Sequence, residues 1–213
     1  MRFADQTVLV TGAASGLGAE TARAFAGGGA RLILVDRDAE GLARVAAAIG
    51  AEALPGDLTD PALAGTLAER GVEIVFHAAG IDPLGATDVP GTPPDLWDRI
   101  IAVNLTAAYR LAHALLPGMI ARRRGVFLFV SSVSGLSPTP REAAYSVSKA
   151  GLIQLAKAIA LDHAGEGIRA NAIAPGMLEA VMSDRGADMD AVALATRRAA
   201  AQSAIPMGRE GSY

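Results

Sequence analysis

Thr7-Val-Leu-Val-Thr-Gly-Ala-Ala-Ser-Gly-Leu-Gly18 is the stretch that decides the fold. Thr7–Thr11, rich in β-branched residues, reads as a strand. It runs directly into a glycine-rich turn and then into a helix predicted near Gly16–Ala26. Gly12, Gly16 and Gly18 let such a turn bend sharply and let the amides of a helix N-terminus come close to an anion. Alone the spacing is weak: with 24 glycines in 213 residues, about 0.3 such sets arise by chance. Its place between a strand and a helix makes it informative.

Outward from this turn, strand-like and helix-like runs alternate. Arg31–Val35 reads as a second strand and Ala39–Ile49 as a second helix. Ala51–Leu54 is a short third strand, followed by a helix opening at Pro61, where a first-turn proline fits. Val72–His77 is a fourth strand. A Pro/Gly-rich loop, Ile81–Pro94, leads to a long helix from about Asp95 to Arg123. Val126–Ser131 is a fifth strand, Tyr145–Ala164 a helix and Ile168–Ala174 a sixth strand. The alternation predicts a doubly wound α/β fold, a parallel sheet between two helical layers. No repeat or linker interrupts it, so residues 1–213 are expected to form one domain.

Apolar residues make up 51% of the chain and charged residues 19%, which suits a well-filled core. A net charge of −3 gives no basic footprint for nucleic acid. Arg122-Arg123-Arg124 follows the long helix and is read as a cationic C-terminus suited to the helix dipole. There are no cysteines, and His77, His113 and His163 show no ligand spacing, so no metal site is expected. No leader and no apolar run approaching eighteen residues is read, so the expectation is a cytoplasmic protein that does not span a membrane.

A second constellation names a chemistry. Tyr145 and Lys149 are four residues apart, one turn apart on one helix face, with Ser132 thirteen residues upstream of Tyr145. An ammonium beside a phenol is expected to lower its pKa towards working pH, as a general acid/base for an alcohol/carbonyl pair requires. Two unrelated surface residues would show the same spacing, but Lys149 and Lys157 are the only lysines against seventeen arginines. About 0.03 chance Tyr-x3-Lys pairs are expected, and about 0.001 with the serine fixed as well.

The glycine turn and Asp36, at the end of the second strand, together suggest a dinucleotide, the carboxylate meeting the adenosine ribose. Arg37 could meet a 2′-phosphate, and Asp36 could instead cap the next helix. A carboxylate at the ribose repels that phosphate, and Ser15 rather than a basic residue precedes Gly16, so NAD is favoured over NADP.

Together these residues resemble the short-chain dehydrogenase/reductase family, in its single-domain Tyr-x3-Lys branch. The likeness runs from Val8 to about Gly211 and includes Gly56-Asp57-Leu58-Thr59, Asn104 and Asn171-Ala-Ile-Ala-Pro-Gly176. Asn104 and Asn171 are the only asparagines. The resemblance implies a Rossmann-like three-layer fold and hydride exchange between NAD(H) and a small alcohol or ketone. Tyr145 would exchange the proton, Ser132 bond the substrate oxygen, Lys149 bind the nicotinamide ribose and Asn104 hold a water. Gly12, Ser15, Gly16, Leu17, Gly18, Asp36, Arg37, Asp57, Leu58, Ala79, Gly80, Pro175, Gly176 and Leu178 would line the cofactor, with Asp57 at the adenine and Leu178 at the carboxamide.

Three departures stand out. His77-Ala-Ala-Gly80 replaces the usual Asn-Asn-Ala-Gly, and His77 is read as a packed residue at a strand end. Ala180 replaces a threonine expected at the carboxamide. The chain also stops near Tyr213, where family members continue through a last helix and a seventh strand, so a six-stranded sheet is expected. Substrate would enter between Val133–Ala144, the loop after Gly80 and a lid over about Met177–Pro206; Arg141 could meet a substrate carboxylate but is read first as a solvated loop arginine. A homodimer or homotetramer through helices 95–123 and 145–164 is expected. The alternative is a catalytically idle NAD(H)-binding protein, or a truncated and weakly active enzyme.

Overall fold

The computed structural model describes residues 1–82, 88–178, 199, 202–203 and 205–212. In chain order these hold β1 (Thr7–Thr11), α1 (Gly16–Gly27), β2 (Arg31–Asp36), α2 (Ala39–Ile49), β3 (Glu52–Pro55) and α3 (Pro61–Ala68). There follow β4 (Ile74–His77), α4 (Pro94–Ile101), a π-helical segment (Ala102–Thr106), α5 (Ala107–Ala121), β5 (Gly125–Val130), α6 (Ala143–His163) and β6 (Ile168–Ile173). The sheet has six strands in the order β3-β2-β1-β4-β5-β6, and every pair is parallel.

Alternation along β1 explains the layers. Val8 and Val10 face a cluster with Ala19, Ala22, Leu42 and Val45 of α1 and α2. Leu9 faces the opposite cluster, with Leu67 of α3, Leu111 and Leu115 of α5 and Leu152 of α6. Each face of the sheet is therefore sealed by its own helices, which is why a parallel sheet reads as an almost continuous apolar run. Strand order reverses between β1 and β4, and ligands of open α/β sheets bind in the crevice at that switch point.

Local chemistry sets the helix boundaries. Asp38 caps α2 by accepting the Gly41 N–H at 3.0 Å, and Gly50 closes it in the left-handed region at φ 66°. Asp60 caps α3 at Ala62, with Pro61 in the first turn. The three arginines after α5 do more than complement its dipole. Arg122 donates to the Val72 carbonyl, Arg123 to that of Gly165, and Arg124 lies 3.4 Å from Glu73.

The sequence showed no run of membrane-spanning length. The 28 residues Pro94–Ala121 are nevertheless long and apolar enough, by length and composition, to cross a membrane. In the fold the buried side of this helix lies on the sheet, through Ala108, Leu111, Ala112, Leu115 and Met119.

Phe127 of β5 is fully buried and stacks on Phe129 at 5.8 Å between ring centroids. Phe127→Ala should lower unfolding stability by about 3–5 kcal/mol, read as a lower urea midpoint at unchanged slope. A loss below about 1 kcal/mol would mean that this cluster does not anchor the sheet.

Candidate functional site

The glycine turn is a backbone cradle with no room for side chains. Gly12 sits at φ 68°, and a Cβ there would lie 2.7 Å from the Ala79 nitrogen. A Cβ on Gly18 would lie 2.1 Å from the Gly12 carbonyl oxygen, and Gly16 adopts φ 53°. Ser15 is the extended N-cap of α1, yet its side chain makes no capping bond, and no acid occupies the first turn. The positive end of the helix dipole is thus left to an external anion.

Asp36 is not a helix cap; Asp38 is. The Asp36 carboxylate accepts the Ala14 N–H at Oδ2 and the Asp38 N–H at Oδ1, both at 3.0 Å. It is thereby fixed against the glycine turn, and each oxygen keeps a lone pair for a ribose hydroxyl. The exposed Asp57 accepts the Thr59 N–H and hydroxyl, each at 2.8 Å. These bonds, helped by the charge of the exposed Arg37, hold its carboxyl below the usual range. Leu17 and Leu58 each pack half-buried on the core. A cradle that a Cβ would fill, an uncapped helix N-terminus and an anchored carboxylate fit a dinucleotide.

The second cluster lies across the switch point. Beyond β5, Ser131 and Ser132 diverge as a continuing strand requires. The Ser131 hydroxyl donates to the Lys149 carbonyl at 2.7 Å and is structural. Ser132, in extended conformation, accepts the Ser134 N–H and hydrogen-bonds Tyr145. Lys149 is fully buried, donates from Nζ to the Val130 carbonyl at 2.9 Å and lies 5.6 Å from the Tyr145 ring centroid. Gly80 packs so closely that a Cβ would lie 3.3 Å from both Lys149 Nζ and Asn104 Oδ1.

Asn104 occupies the π-helical segment, a feature frequent at functional sites, and is fully buried. Its side chain joins the loop after β4 to α6. Oδ1 accepts the Ile81 N–H at 2.7 Å, while Nδ2 donates to the Ile81 carbonyl at 2.9 Å and to Ser148 Oγ at 3.1 Å. Ser148 in turn donates to the Tyr145 carbonyl at 2.7 Å. The Val133 N–H bonds the Pro175 carbonyl at 3.0 Å, tying the segment after β6 to the Ser132 turn. Gly176 follows it, and Leu178 pairs with Gly211 in a short parallel bridge. Ala180 and most of the expected lid lie outside the described residues.

Electrostatics revise one expectation. The Tyr145 phenol is not lowered but pushed up to about 12, first by burial and then by Asp82, with Glu142 adding and the Ser132 hydrogen bond opposing. The Lys149 ammonium is held down to about 8 by burial, against the pull of Asp82. Loss of water is the first cause of both shifts: the phenol is partly withdrawn from water and the ammonium wholly so. Sequence reasoning missed Asp82 and Ser148. Asp82 lay in the loop assigned to the pocket wall, and nothing in the sequence set its charge near Tyr145.

His77 is packed at a strand end, as expected. Its Nδ1 lies 2.9 Å from the Thr11 hydroxyl, which also receives the Ala79 N–H at 3.3 Å, and its ring meets Phe129 edge-on. Burial, then the Lys149 charge, lower its pKa to about 3. The unfolded imidazole titrates near 6.5, so between these values the unfolded chain binds the extra proton and stability falls as pH falls. His77→Asn should remove this component, on the order of 3–5 kcal/mol between pH 7 and pH 3. Urea midpoints from pH 7 to 4 that decline equally in both proteins would show that His77 is charged in the fold.

The chain matches the family described as short chain dehydrogenase over residues 6–190. It is 39% identical over 192 residues to the galactitol 2-dehydrogenase (L-tagatose-forming) of Cereibacter sphaeroides, covering 85% of this chain and 75% of that one. With the 3-oxoacyl-(acyl-carrier-protein) reductase of Thermotoga maritima it shares 34% identity, over 99% of this chain and 87% of the other. The crystal structure of a short-chain dehydrogenase/reductase family oxidoreductase from Burkholderia thailandensis superposes with a TM-score of 0.83 at 33% identity. That likeness covers 97% of this chain and 80% of that one. Glycine cradle and Tyr145 helix alike fall inside the matched region, and the chain belongs to the short-chain dehydrogenase/reductase family of oxidoreductases.

Proposed function

We propose that the protein interconverts a secondary alcohol and a ketone on a small molecule, using NAD(H), with Tyr145 as general acid/base. The observation that carries this reading is a buried ammonium, 5.6 Å from the ring centroid of a half-buried tyrosine on the same face of α6, with the Ser132 hydroxyl beside that phenol. A protein that only bound the cofactor would have no use for that arrangement. The anchored Asp36 carboxylate favours NAD(H) over NADP(H).

Gly12, Ser15, Gly16, Leu17 and Gly18 would hold the pyrophosphate, Asp36 the adenosine ribose, and Asp57 and Leu58 the adenine side. Ala79, Gly80, Lys149, Pro175, Gly176 and Leu178 would flank the nicotinamide end. When bound, the nicotinamide supplies the hydride donor or acceptor and, oxidised, a positive charge near the phenol. Ser132 accepts the Ser134 N–H, and its one proton, directed at the Tyr145 oxygen at rest, would turn to the substrate oxygen. Tyr145 at about 12 is a proton donor at rest, the form ketone reduction needs as charge gathers on that oxygen. Lys149, near 8, keeps its proton at neutral pH and can hold the ribose hydroxyls. Alcohol oxidation needs the phenolate, so its rate should rise with pH beyond neutrality while ketone reduction does not.

The galactitol dehydrogenase relative supports small alcohols as substrates. Tyr109 on α5 and Val147 and Leu161 on α6 are exposed, at 54%, 47% and 82%. This apolar surface supports a dimer through the two helices; sedimentation at micromolar concentration should show it, and a strict monomer would sink that assembly.

Tyr145→Phe should cut turnover of an alcohol panel by about 10²–10⁴-fold while NADH affinity, measured by fluorescence titration, stays within about threefold. Unchanged turnover would refute the mechanism. Tight NADH binding by the wild type with no turnover of any alcohol would identify an idle binder.

A further inference from the structure

The helical run that carries Asn104 also carries Arg110, about 9 Å further along the axis. Asn104 grips the loop after β4, bonding Ile81 at both its N–H and its carbonyl. Arg110, half-buried in the first turn of α5, donates from Nη1 to the Thr59 carbonyl at 2.8 Å. Thr59 belongs to the loop after β3. One helix thus holds a loop on each side of the switch point, both leaving the carboxyl ends of strands.

Thr59 stands between Arg110 and Asp57. Its N–H and its hydroxyl both donate to Asp57 Oδ1 at 2.8 Å, and the Asp60 N–H closes the turn on the Asp57 carbonyl at 3.0 Å. Upstream, the Gly56 N–H donates to the Asp36 carbonyl at 3.0 Å, and Leu58 packs on the core. Both side-chain bonds fall on Oδ1, so Oδ2 keeps its lone pairs for a donor from outside. The Asp57 turn is exposed, and exposed loops move unless they are tied down. The Arg110 guanidinium ties it to a helix whose Ala107, Ala108, Leu111 and Ala112 are buried. Arginine suits the task, because a planar cation on a long stem reaches a loop carbonyl and keeps its charge at every working pH.

We propose that Arg110 is a positioning residue for the cofactor, fixing through Thr59 the direction in which Asp57 offers Oδ2 to the exocyclic amine of adenine. This rests on the NAD(H) reading above and deepens it, since Arg110 acts through Asp57 without touching the dinucleotide.

The test compares NADH with reduced nicotinamide hypoxanthine dinucleotide, in which a carbonyl replaces the adenine amine. Fluorescence titration gives Kd for both in wild type, Arg110→Lys, Arg110→Met, Asp57→Ala and the Arg110→Met/Asp57→Ala double variant. A charge-assisted bond from the amine predicts a wild-type preference for NADH of about tenfold. It should shrink to about threefold in Arg110→Met and vanish in Asp57→Ala, with no further loss in the double variant. Arg110→Lys, which keeps the charge on a shorter reach, should fall between wild type and Arg110→Met, and it carries the comparison should Arg110→Met not fold. A preference equal to that of the wild type in both Arg110 variants, or none in the wild type, overturns the proposal and leaves the NAD(H) reading intact. So does an equal weakening of the two dinucleotides, the mark of a merely structural tie. A wild type that binds neither dinucleotide sinks the NAD(H) reading and the role of Arg110 with it.

Discussion

Burial of the Lys149 ammonium is the constraint around which the site is arranged. A cation taken out of water costs several kcal/mol unless its donors find partners. Nζ finds the Val130 carbonyl at the end of β5, an oxygen available because the strand ends there and the chain turns off through Ser132. A Cβ on Gly80 would crowd the ammonium at 3.3 Å, and Gly135 must be glycine for the Ser132 turn to lie on the Lys149 backbone, where a Cβ would come within 2.7 Å. Ser131 then bonds the Lys149 carbonyl, so α6 is pinned to β5 through one residue's two ends.

The π-helical segment solves a companion problem. Asn104 must reach the loop after β4 and α6 together, and the wide turn at Ala102–Thr106 sets it between them. Its single amide joins Ile81 to Ser148, and Ser148 joins the Tyr145 backbone. Proximity of helices makes this possible: Gly151 of α6 admits Leu105, which a Cβ would meet at 2.6 Å. Precision in placing the phenol therefore comes from backbone contacts, with small residues wherever two backbones must meet.

Much of this was legible before the structure. The glycine turn, the strand alternation and the Pro61 and Gly50 boundaries are local signals, each with a local physical cause. The six strands and the clustering of Ser132, Tyr145, Lys149 and Asn104 accordingly lie where the sequence put them, with ends moved by one or two residues. What failed was electrostatic. Spacing shows that an ammonium and a phenol share a helix face, but not that both are dehydrated, and dehydration decides the direction of the Tyr145 shift. Scarcity marks Asn104 as special without revealing that its amide bonds Ile81 and Ser148.

His77 shows how the family pattern can change while the strands stay braced. An asparagine at this strand end would brace neighbouring strands through its amide. Here the imidazole does so through one nitrogen, meeting Thr11 directly across the β1–β4 register, and Thr11 passes the link on to Ala79. The brace thus crosses the switch point and ends on the backbone that Gly12 must approach. It operates only while the ring is neutral, since an imidazolium could donate from Nδ1 but would place a second cation near Lys149 with no acceptor at Nε2. Replacing the amide with an imidazole keeps the geometry of the crevice and makes it sensitive to acid, a property that the usual asparagine would not confer.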